Sequence, residues 1–341
     1  MRDLEYMNKL LITGVAGLVG SNLSNALSNK YEVFGVDNLI GGYIDNVPTN
    51  IKFVKKNCTD ITIEDLAGVS SVIHCACTPH EGLSVFSPSL ITQNTYGVSV
   101  DLLSKSISAG VKKFVYLSSM ARYGSQDKVP FTEEMLPRPQ DPYGIAKYAF
   151  ELTLKNLAET HGMEFVILVP HNIIGKGQKY NDPFRNVAGI MINRMLRGMQ
   201  PIIYGDGMQM RSFSDIRDVI NPLITSLESS VANGQIINVG PDDNFITINE
   251  LSSMIARLLN FNLDPVYIKA RPSEVRMANC SANKAKMLLQ YKPEITLEET
   301  LTDMINWVET RGPLPFDHSL PLEIITELTP ETWKNKDRFD R

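Results

Sequence analysis

The sequence predicts an α/β fold, a doubly wound parallel sheet to which a smaller α/β lobe is attached. Short apolar runs alternate with stretches of helix length over the first 170 residues, which is the rhythm of successive βαβ units. A glycine-rich turn directly follows the first of these runs, and an aspartate directly follows the second. Together these features indicate a Rossmann-type domain.

Six apolar runs in the first half are predicted to be strands. They are rich in Val, Ile and Leu and alternate little with polar residues, as expected for a parallel sheet that is covered on both faces. The predicted strands are Lys9–Thr13, Glu32–Val36, Ile51–Val54, Ser71–Ala76, Lys112–Leu117 and Glu164–Val169. Stretches of helix length lie between them, most clearly at about 86–109 and 143–161.

The regular alternation ends after about residue 170. The sequence then predicts helices over Phe184–Arg197 and Ile216–Ser229, and strands over Pro201–Tyr204 and Gln235–Val239. We therefore expect two interleaved units. One comprises residues 1–170 completed by about 213–240, and the other comprises 171–212 and 241–341. The tail from Gly312 onward is too rich in proline to predict a regular element.

The composition argues against several classes of function. The 341 residues are 43% hydrophobic and 21% charged, with a net charge of −5, which is ordinary for a globular protein and gives no basic surface for nucleic acid or an anionic membrane. No apolar run reaches the roughly 18 residues that span a bilayer. The first residues, Met1–Met7, are too polar for a signal peptide, so we expect a cytoplasmic protein. The four cysteines have no disulfide or zinc spacing and predict buried, reduced thiols and no metal site.

The glycine-rich turn is Gly14-Val-Ala-Gly17-Leu-Val-Gly20. The first glycine permits a tight turn, the second lets backbone amides approach a pyrophosphate, and the third lets the following helix pack closely. Asp37 lies 17 positions after Gly20, where a carboxylate can accept hydrogen bonds from a ribose diol. No arginine adjoins it, which favours NAD over NADP. The alternative is that Asp37 merely begins a loop.

A second group of residues predicts acid/base chemistry. Tyr143 and Lys147 stand four residues apart at the start of a predicted helix, so they share one face. We expect the ammonium to lower the pKa of the phenol from about 10. Ser119, which follows a predicted strand end, can relay a proton. The three residues together suit the removal of a proton from an alcohol.

With these residues the chain resembles the extended short-chain dehydrogenase/reductase family and, within it, the NAD-dependent nucleotide-sugar epimerases, most closely the UDP-glucose or UDP-hexose 4-epimerases. The resemblance covers about residues 8–310. It depends on the glycine turn, Asp37-Asn38, Asn94, Ser118-Ser119, Tyr123-Gly124, Tyr143-Gly-Ile-Ala-Lys147, Pro170-His-Asn172, Gly205-Asp-Gly207, Arg211-Ser-Phe213 and Arg271-Pro-Ser-Glu274.

The resemblance implies a role for each matched position. Tyr143 would be the catalytic acid/base, Lys147 its partner and Ser119 the hydroxyl relay. A tightly bound NAD would contact Gly14, Gly17, Leu18, Val19, Gly20, Asp37, Asn38, Asn57, Cys58, Ala76, Cys77, Asn94, Tyr143, Lys147 and Pro170. A nucleotide sugar, most often a UDP-sugar, would contact His80, Glu81, Ser119, Tyr143, Asn172, Asn186, Val187, Arg211, Arg271 and Glu274. The arginines suit a diphosphate because a guanidinium pairs with phosphate oxygens in a bidentate way; the alternative is that they are solvated surface charges.

The chain departs from the family at several positions. Asn57 stands where the family often has Asp, and Pro79 replaces a lysine that some 4-epimerases carry. His80 and Glu81 lie in an unusual loop, and we expect them either to contact sugar hydroxyls, to act as a second acid/base, or to be solvated. The role of His171 is open.

The resemblance also bears on the reaction. Related dehydratases and decarboxylases carry carboxylates at the positions of Met120 and Ala121, so the sequence favours inversion at C4 through a 4-keto sugar. The alternatives are inversion at another carbon, reduction of a keto-sugar, less readily dehydration or decarboxylation, and a non-catalytic NAD sensor. Ala278 either leaves room for an N-acetyl group or simply packs in a strand.

The family further implies a homodimer formed through the helices at about 86–109 and 143–161, and a part in carbohydrate metabolism, including polysaccharide biosynthesis. No nucleic-acid or membrane partner is expected. The tail beyond residue 311 extends past the usual family end. It is expected to wrap a partner subunit, cover the second lobe or stay partly disordered.

Overall fold

The computed structural model describes residues 8–242, 245–272 and 274–340. The expectation for Met1–Met7 and the matched residue Ser273 lie outside these residues. The strands are β1 (Lys9–Thr13), β2 (Glu32–Asp37), β3 (Lys52–Lys55), β4 (Val69–His74), β5 (Lys113–Leu117), β6 (Glu164–Pro170), β7 (Ile173–Ile174), β8 (Ile202–Tyr204), β9 (Met210–Arg211), β10 (Ser214–Asp215), β11 (Ile236–Val239), β12 (Ile246–Thr247), β13 (Val266–Ile268) and β14 (Met277–Ala278).

The α-helices differ more in length than the strands do. They are α1 (Leu18–Leu27), α2 (Glu81–Ser84), α3 (Pro88–Thr92), α4 (Val98–Ser108), α5 (Pro142–His161), α6 (Val187–Leu196), α7 (Ile216–Glu228), α8 (Ile248–Leu258), α9 (Asn283–Leu289), α10 (Leu297–Arg311), α11 (Glu331–Lys334) and α12 (Lys336–Phe339).

Seven strands of the described residues form one parallel sheet in the order β11-β6-β5-β4-β1-β2-β3. The chain order reverses between β1 and β4, which creates the crevice where ligands bind in doubly wound sheets. The predicted Rossmann-type fold is therefore confirmed. The predicted strand over Ser71–Ala76 is shifted, because β4 ends at His74.

Successive residues of the sheet point to opposite faces and build two cores. Leu11, Phe114 and Ile167 belong to the core that α4 and α5 cover, whereas Leu10, Val115 and Val166 belong to the core that α1, α7 and α9 cover. A third core lies among α6, α8 and α10. The interleaved two-unit organisation stays a prediction, to which this separate core lends support.

The helix predicted at about 86–109 is not uniform. It begins at Pro88, and its second turn is a π-helix over Gln93–Gly97 that carries Asn94. The helix predicted over Phe184–Arg197 begins only at Val187, because the side chain of Asn186 caps it by accepting a hydrogen bond from the Ala188 amide at 3.0 Å.

The tail departs from expectation too. No helix or strand occurs over residues 312–330, as predicted, but α11 and α12 follow, and Trp333 is only 2% exposed. Cys58 and Cys280 are buried free thiols, whereas Cys75 and Cys77 are partly exposed. The buried thiol prediction is wrong for these two because the chain leaves the sheet before them. None of the described helices is long and apolar enough to cross a membrane.

Candidate active site

A cavity of about 740 Å³ opens at the carboxyl ends of the central strands and extends into the second lobe. Every residue predicted from the sequence to contact NAD or the nucleotide sugar lines this cavity. Residues from distant parts of the chain, such as Gly14, Tyr143 and Arg271, therefore share one space. The volume lies within the usual range of small-molecule sites.

The glycine turn has the geometry of an anion cradle. Gly14 has a positive φ of 72°, and a Cβ atom there would lie 2.9 Å from the Ala76 amide nitrogen. A Cβ atom on Gly20 would lie 2.2 Å from the Gly14 carbonyl oxygen. Gly17 caps α1 without any side-chain hydrogen bond. The helix amides and their dipole thus face the cavity unobstructed, which suits a pyrophosphate.

Asp37 lies at the end of β2 with its carboxylate held by the backbone. The Ala16 amide donates to one oxygen at 2.9 Å and the Leu39 amide to the other at 2.6 Å. Each oxygen keeps a further lone pair for a ribose hydroxyl. The side-chain Nδ2 of Asn38 donates to Oδ1 of Asn57 at 3.0 Å. These residues fit the adenosine half of a dinucleotide.

The acid/base residues meet where β5 ends and α5 begins. The Asp141 side chain caps α5 by accepting from the Gly144 amide at 3.0 Å, which places Tyr143 in the first turn. One turn later, Lys147 donates to the Leu117 carbonyl at 2.7 Å. Its Nζ lies 5.8 Å from the centroid of the Tyr143 ring. The predicted proximity of the pair is therefore observed.

The predicted effect on the phenol is wrong in this structure. Burial raises the pKa of Tyr143 well above its usual range, and the neighbouring Cys77 and Glu81 raise it further. A hydrogen bond with Ser119 and the charge of Arg185 act in the opposite direction. The cost of placing a phenolate away from water therefore exceeds the opposing effects of Ser119 and Arg185 on the pKa of Tyr143.

Two arginines converge on one glutamate in the same cavity as Tyr143. Nη2 of Arg271 lies 3.1 Å from Oε1 of Glu274, and Nη2 of Arg211 lies 3.8 Å from the same atom. The Arg271 guanidinium also lies 4.7 Å from the centroid of the Tyr204 ring. Glu274 and Tyr204 hold the guanidinium groups at the cavity wall, where they suit a diphosphate.

Glu81 begins α2 and is exposed in the cavity that Arg211 and Arg271 also line. Burial raises the pKa of its carboxyl to about 7, with a further contribution from Asp141, while Arg211 and Arg271 oppose the rise. Glu81 therefore changes charge near neutral pH within the predicted sugar site.

Two histidines, His80 and His171, are buried at the site. The expectation that His80 is solvated or acts as a second acid/base is not met. His80 is 1% exposed, and its Nε2 lies 2.7 Å from a carboxylate oxygen of Asp182. Burial lowers the pKa of His80 although Asp182 opposes this. A ring held in this pair positions the loop and does not fit a second acid/base. Burial likewise lowers the pKa of His171 to about 3, so this ring is neutral.

Sequence reasoning missed several residues that line the cavity. Arg185 is one of them and donates from Nη2 to the Gly41 carbonyl at 3.1 Å. Its place directly before the capped helix α6 was the available signal. Residues of the tail are further examples, and no periodicity pointed to them. They are Phe316, His318, Thr332, Trp333, Lys336, Phe339 and Asp340.

Known proteins resemble this chain over most of its length. The model of the NAD dependent epimerase/dehydratase family matches residues 10–240. The chain is similar to the solved UDP-glucose 4-epimerase of Thermotoga maritima with UDP-glucose, at 31% identity and a TM-score of 0.83. The similarity covers 89% of this chain and 99% of that one.

Two further solved structures are comparably similar. The UDP-N-acetylglucosamine 4-epimerase of Methanobrevibacter ruminantium, in complex with UDP-N-acetylmuramic acid, shares 29% identity over 90% of this chain and 99% of its own, with a TM-score of 0.83. The UDP-glucuronic acid 4-epimerase of Bacillus cereus, with UDP-glucuronic acid and NAD, shares 26% identity over 89% of this chain and 100% of its own, also with a TM-score of 0.83.

The sequence prediction of an extended short-chain dehydrogenase/reductase of the nucleotide-sugar epimerase type is confirmed by these matches. The family model spans more than half of the chain, and the glycine cradle has the geometry that a dinucleotide requires. The chain belongs to the NAD dependent epimerase/dehydratase family, and its cofactor is NAD.

Proposed function

We propose that this enzyme inverts C4 of a UDP-hexose or UDP-N-acetylhexosamine through a transient 4-keto sugar. One observation carries the proposal. Tyr143 and Ser119 line the same cavity as the glycine cradle and the pair Arg211 and Arg271. A sugar whose diphosphate rests on the arginines would present its ring between the acid/base residues and the cofactor. The similar solved structures contain UDP-sugars.

Each residue has a task in this proposal. Tyr143 takes the proton from the sugar hydroxyl and later returns it, and Ser119 passes the proton between them. Lys147, held by the Leu117 carbonyl, orients the cofactor ribose and the phenol. The glycine cradle and Asp37 would hold NAD, which would supply reversible hydride transfer with the sugar carbon. Because the cycle is redox-neutral, we propose that NAD stays tightly bound.

The residues after Ser119 favour epimerisation over elimination. Met120 and Ala121 are apolar and nearly buried, so no carboxylate at these positions can assist the loss of water. A second, smaller cavity of about 60 Å³ adjoins the site and is lined by Ser119, Glu81 and Ala278 among others. The small side chain of Ala278 there supports acceptance of an N-acetyl group at C2 as well as a hydroxyl.

The test is to incubate the enzyme with UDP-glucose, UDP-galactose and their N-acetylamino forms and to follow C4 by NMR. We expect inversion without added NAD. Tyr143→Phe should abolish turnover while the protein keeps its NAD. Turnover of a GDP- or dTDP-sugar with no inversion of any UDP-sugar would contradict the proposal that the substrate is a UDP-sugar. A dehydrated product would contradict the proposal that the enzyme is an epimerase.

We also propose a cytoplasmic homodimer that supplies sugars for polysaccharide biosynthesis. Ile145 and Leu152 lie seven positions apart on α5 and are 53% and 54% exposed, which supports a partner surface on this helix. Sedimentation equilibrium should give twice the chain mass for the native protein and the chain mass for Leu152→Glu. A monomeric native protein would contradict the dimer.

A further inference from the structure

Residues 312–340, here called the C-terminal strap, begin where the sequence resemblance to the family ends. The three similar solved structures align over 99–100% of their own length, but over only 89–90% of this chain. About a tenth of this chain is left without a counterpart, and the sequence resemblance ends near residue 310. The strap nevertheless lies on the active-site cavity.

Hydrogen bonds fix the strap at both ends and in the middle. Near its start, Asn193 on α6 pairs with both the amide and the carbonyl of Leu314, at 3.0 and 2.8 Å. In the middle, Glu323 caps α3 by accepting from two amides of its first turn, each at 2.8 Å. At the end, Arg194 on α6 donates to the Phe339 carbonyl at 2.5 Å. The strap is therefore an ordered wall.

Trp333 joins the strap to the catalytic region. Its ring packs edge-on against Phe184 and Phe86, with centroids 5.2 and 5.7 Å apart. It belongs to the same apolar cluster as Tyr143. This packing makes the indole part of the cavity wall close to the acid/base residues.

The neighbouring residue connects the strap to the arginines. The hydroxyl of Thr332 lies 2.6 Å from the hydroxyl of Tyr204, and the Tyr204 ring supports the guanidinium of Arg271. The strap thus adjoins the part of the cavity that suits a diphosphate.

Lys336 and Phe339 extend this wall beyond the arginines. Both residues line the cavity, alongside Arg194 and Ile202 of the second lobe. Lys336 donates only a long hydrogen bond, 3.4 Å, to the His318 carbonyl and forms no ion pair among the described residues. A cation and an aromatic ring on one wall suit a phosphate and a nucleoside, respectively.

We propose that the strap completes the substrate site, with Lys336 attracting the diphosphate and Trp333 and Phe339 enclosing the nucleoside diphosphate sugar. This proposal rests on the proposed function in one respect, that the substrate is a nucleotide sugar. It adds specificity-determining residues from a segment that lies beyond the sequence resemblance to the family.

The first experiment measures binding of UDP to the NAD-loaded full-length protein by calorimetry. Lys336→Glu should weaken binding at least tenfold. Lys334→Glu is the matched control, since it makes the same charge change two residues away at a position that does not line the cavity. The control should bind UDP within twofold of the native protein, and both variants should keep their NAD.

The second experiment uses tryptophan fluorescence. The chain has two tryptophans, and Trp307 packs against Tyr43 and Tyr180 outside the cavity. In Trp307→Phe, emission from Trp333 should change on titration with UDP. In Trp333→Phe the change should disappear, and this variant keeps an aromatic ring in the wall.

The outcomes separate the two proposals. Equal UDP affinity in Lys336→Glu and the control, with unchanged Trp333 emission, would overturn the strap proposal and leave the epimerase proposal standing. UDP binding that depends on the strap, without inversion of any UDP-sugar, would support the strap proposal and overturn the epimerase proposal. Failure of the native protein to bind UDP would overturn both.

Discussion

Gly20 packs directly against the backbone of Gly14, since a Cβ atom on Gly20 would lie 2.2 Å from the Gly14 carbonyl oxygen. The contact brings the first turn of α1 against the loop that leaves β1. The amides at the start of α1 are thereby held in the cavity wall. We expect binding of the cofactor pyrophosphate to depend on this contact, because it positions the amides that would donate to the phosphates.

Gly20→Ala should therefore lose NAD. The added methyl group meets backbone atoms that have no rotamer to escape into, so the turn must move away from α1. We expect the purified variant to carry less than a tenth of the native NAD, measured after denaturation. Gly97→Ala is the control, because a Cβ atom there has no neighbour within 4 Å. Full NAD content in Gly20→Ala would contradict this reading of the cradle.

Ser119→Ala should slow catalysis and shift its pH dependence. Loss of the relay removes acid/base assistance worth about 100-fold or more in kcat. A hydrogen bond with Ser119 lowers the pKa of Tyr143, so its loss should raise that pKa and move the alkaline-activated limb of the pH–rate profile to higher pH. Ser125→Ala, outside the cavity, should leave both unchanged. An unshifted pH–rate profile would show that Ser119 does not affect the pKa of Tyr143.

Glu81→Gln should stabilise the substrate-free protein at high pH. Because the pKa of Glu81 is raised to about 7 in the folded protein, folding favours the protonated carboxyl. The native protein therefore loses stability as pH rises from about 4.5, the usual pKa of a glutamate, through 7. The melting temperature of Glu81→Gln should exceed that of the native protein at pH 8, and the difference should vanish at pH 4. A constant difference would contradict the titration.

Asp182→Asn should destabilise the fold at neutral pH. Asp182 pairs with buried His80 and also accepts from the Phe184 amide at 3.0 Å. These contacts hold the pKa of Asp182 below its usual range, so its contribution exists above that range and disappears as pH falls. We expect a loss of about 1.5–3 kcal/mol at pH 7 by urea unfolding. The exposed substitution Asp337→Asn should cost far less, and an equal effect would argue against the pair.

Ala278→Tyr should discriminate between sugars. A bulky ring would fill the small cavity that Ala278 shares with Ser119, so turnover of UDP-N-acetylhexosamines should fall at least tenfold more than turnover of UDP-hexoses. Met277→Tyr is the adjacent control, since Met277 is 44% exposed and outside that cavity. Equal losses of turnover for both kinds of sugar would contradict a contact between residue 278 and the substituent at C2.

Local patterns predicted much of the site because they act over neighbouring residues. Gly14, Gly17 and Gly20 were recognisable because the turn and helix start are contiguous in the chain. Tyr143 and Lys147 were recognisable because helical spacing alone brings them together. The alternation of apolar runs and helical stretches likewise predicted the central sheet, although it misplaced the end of β4 by two residues.

Other features depend on contacts between distant segments, which no local period encodes. His80 forms a pair with Asp182 across 102 positions, and burial, which no spacing reveals, raises the pKa of Tyr143. Trp333 reaches the catalytic cluster only because the irregular strap crosses α3 and α6. The sequence by itself determined the cofactor cradle and the acid/base pair. Only tertiary packing decided their charge states and which residues enclose the substrate.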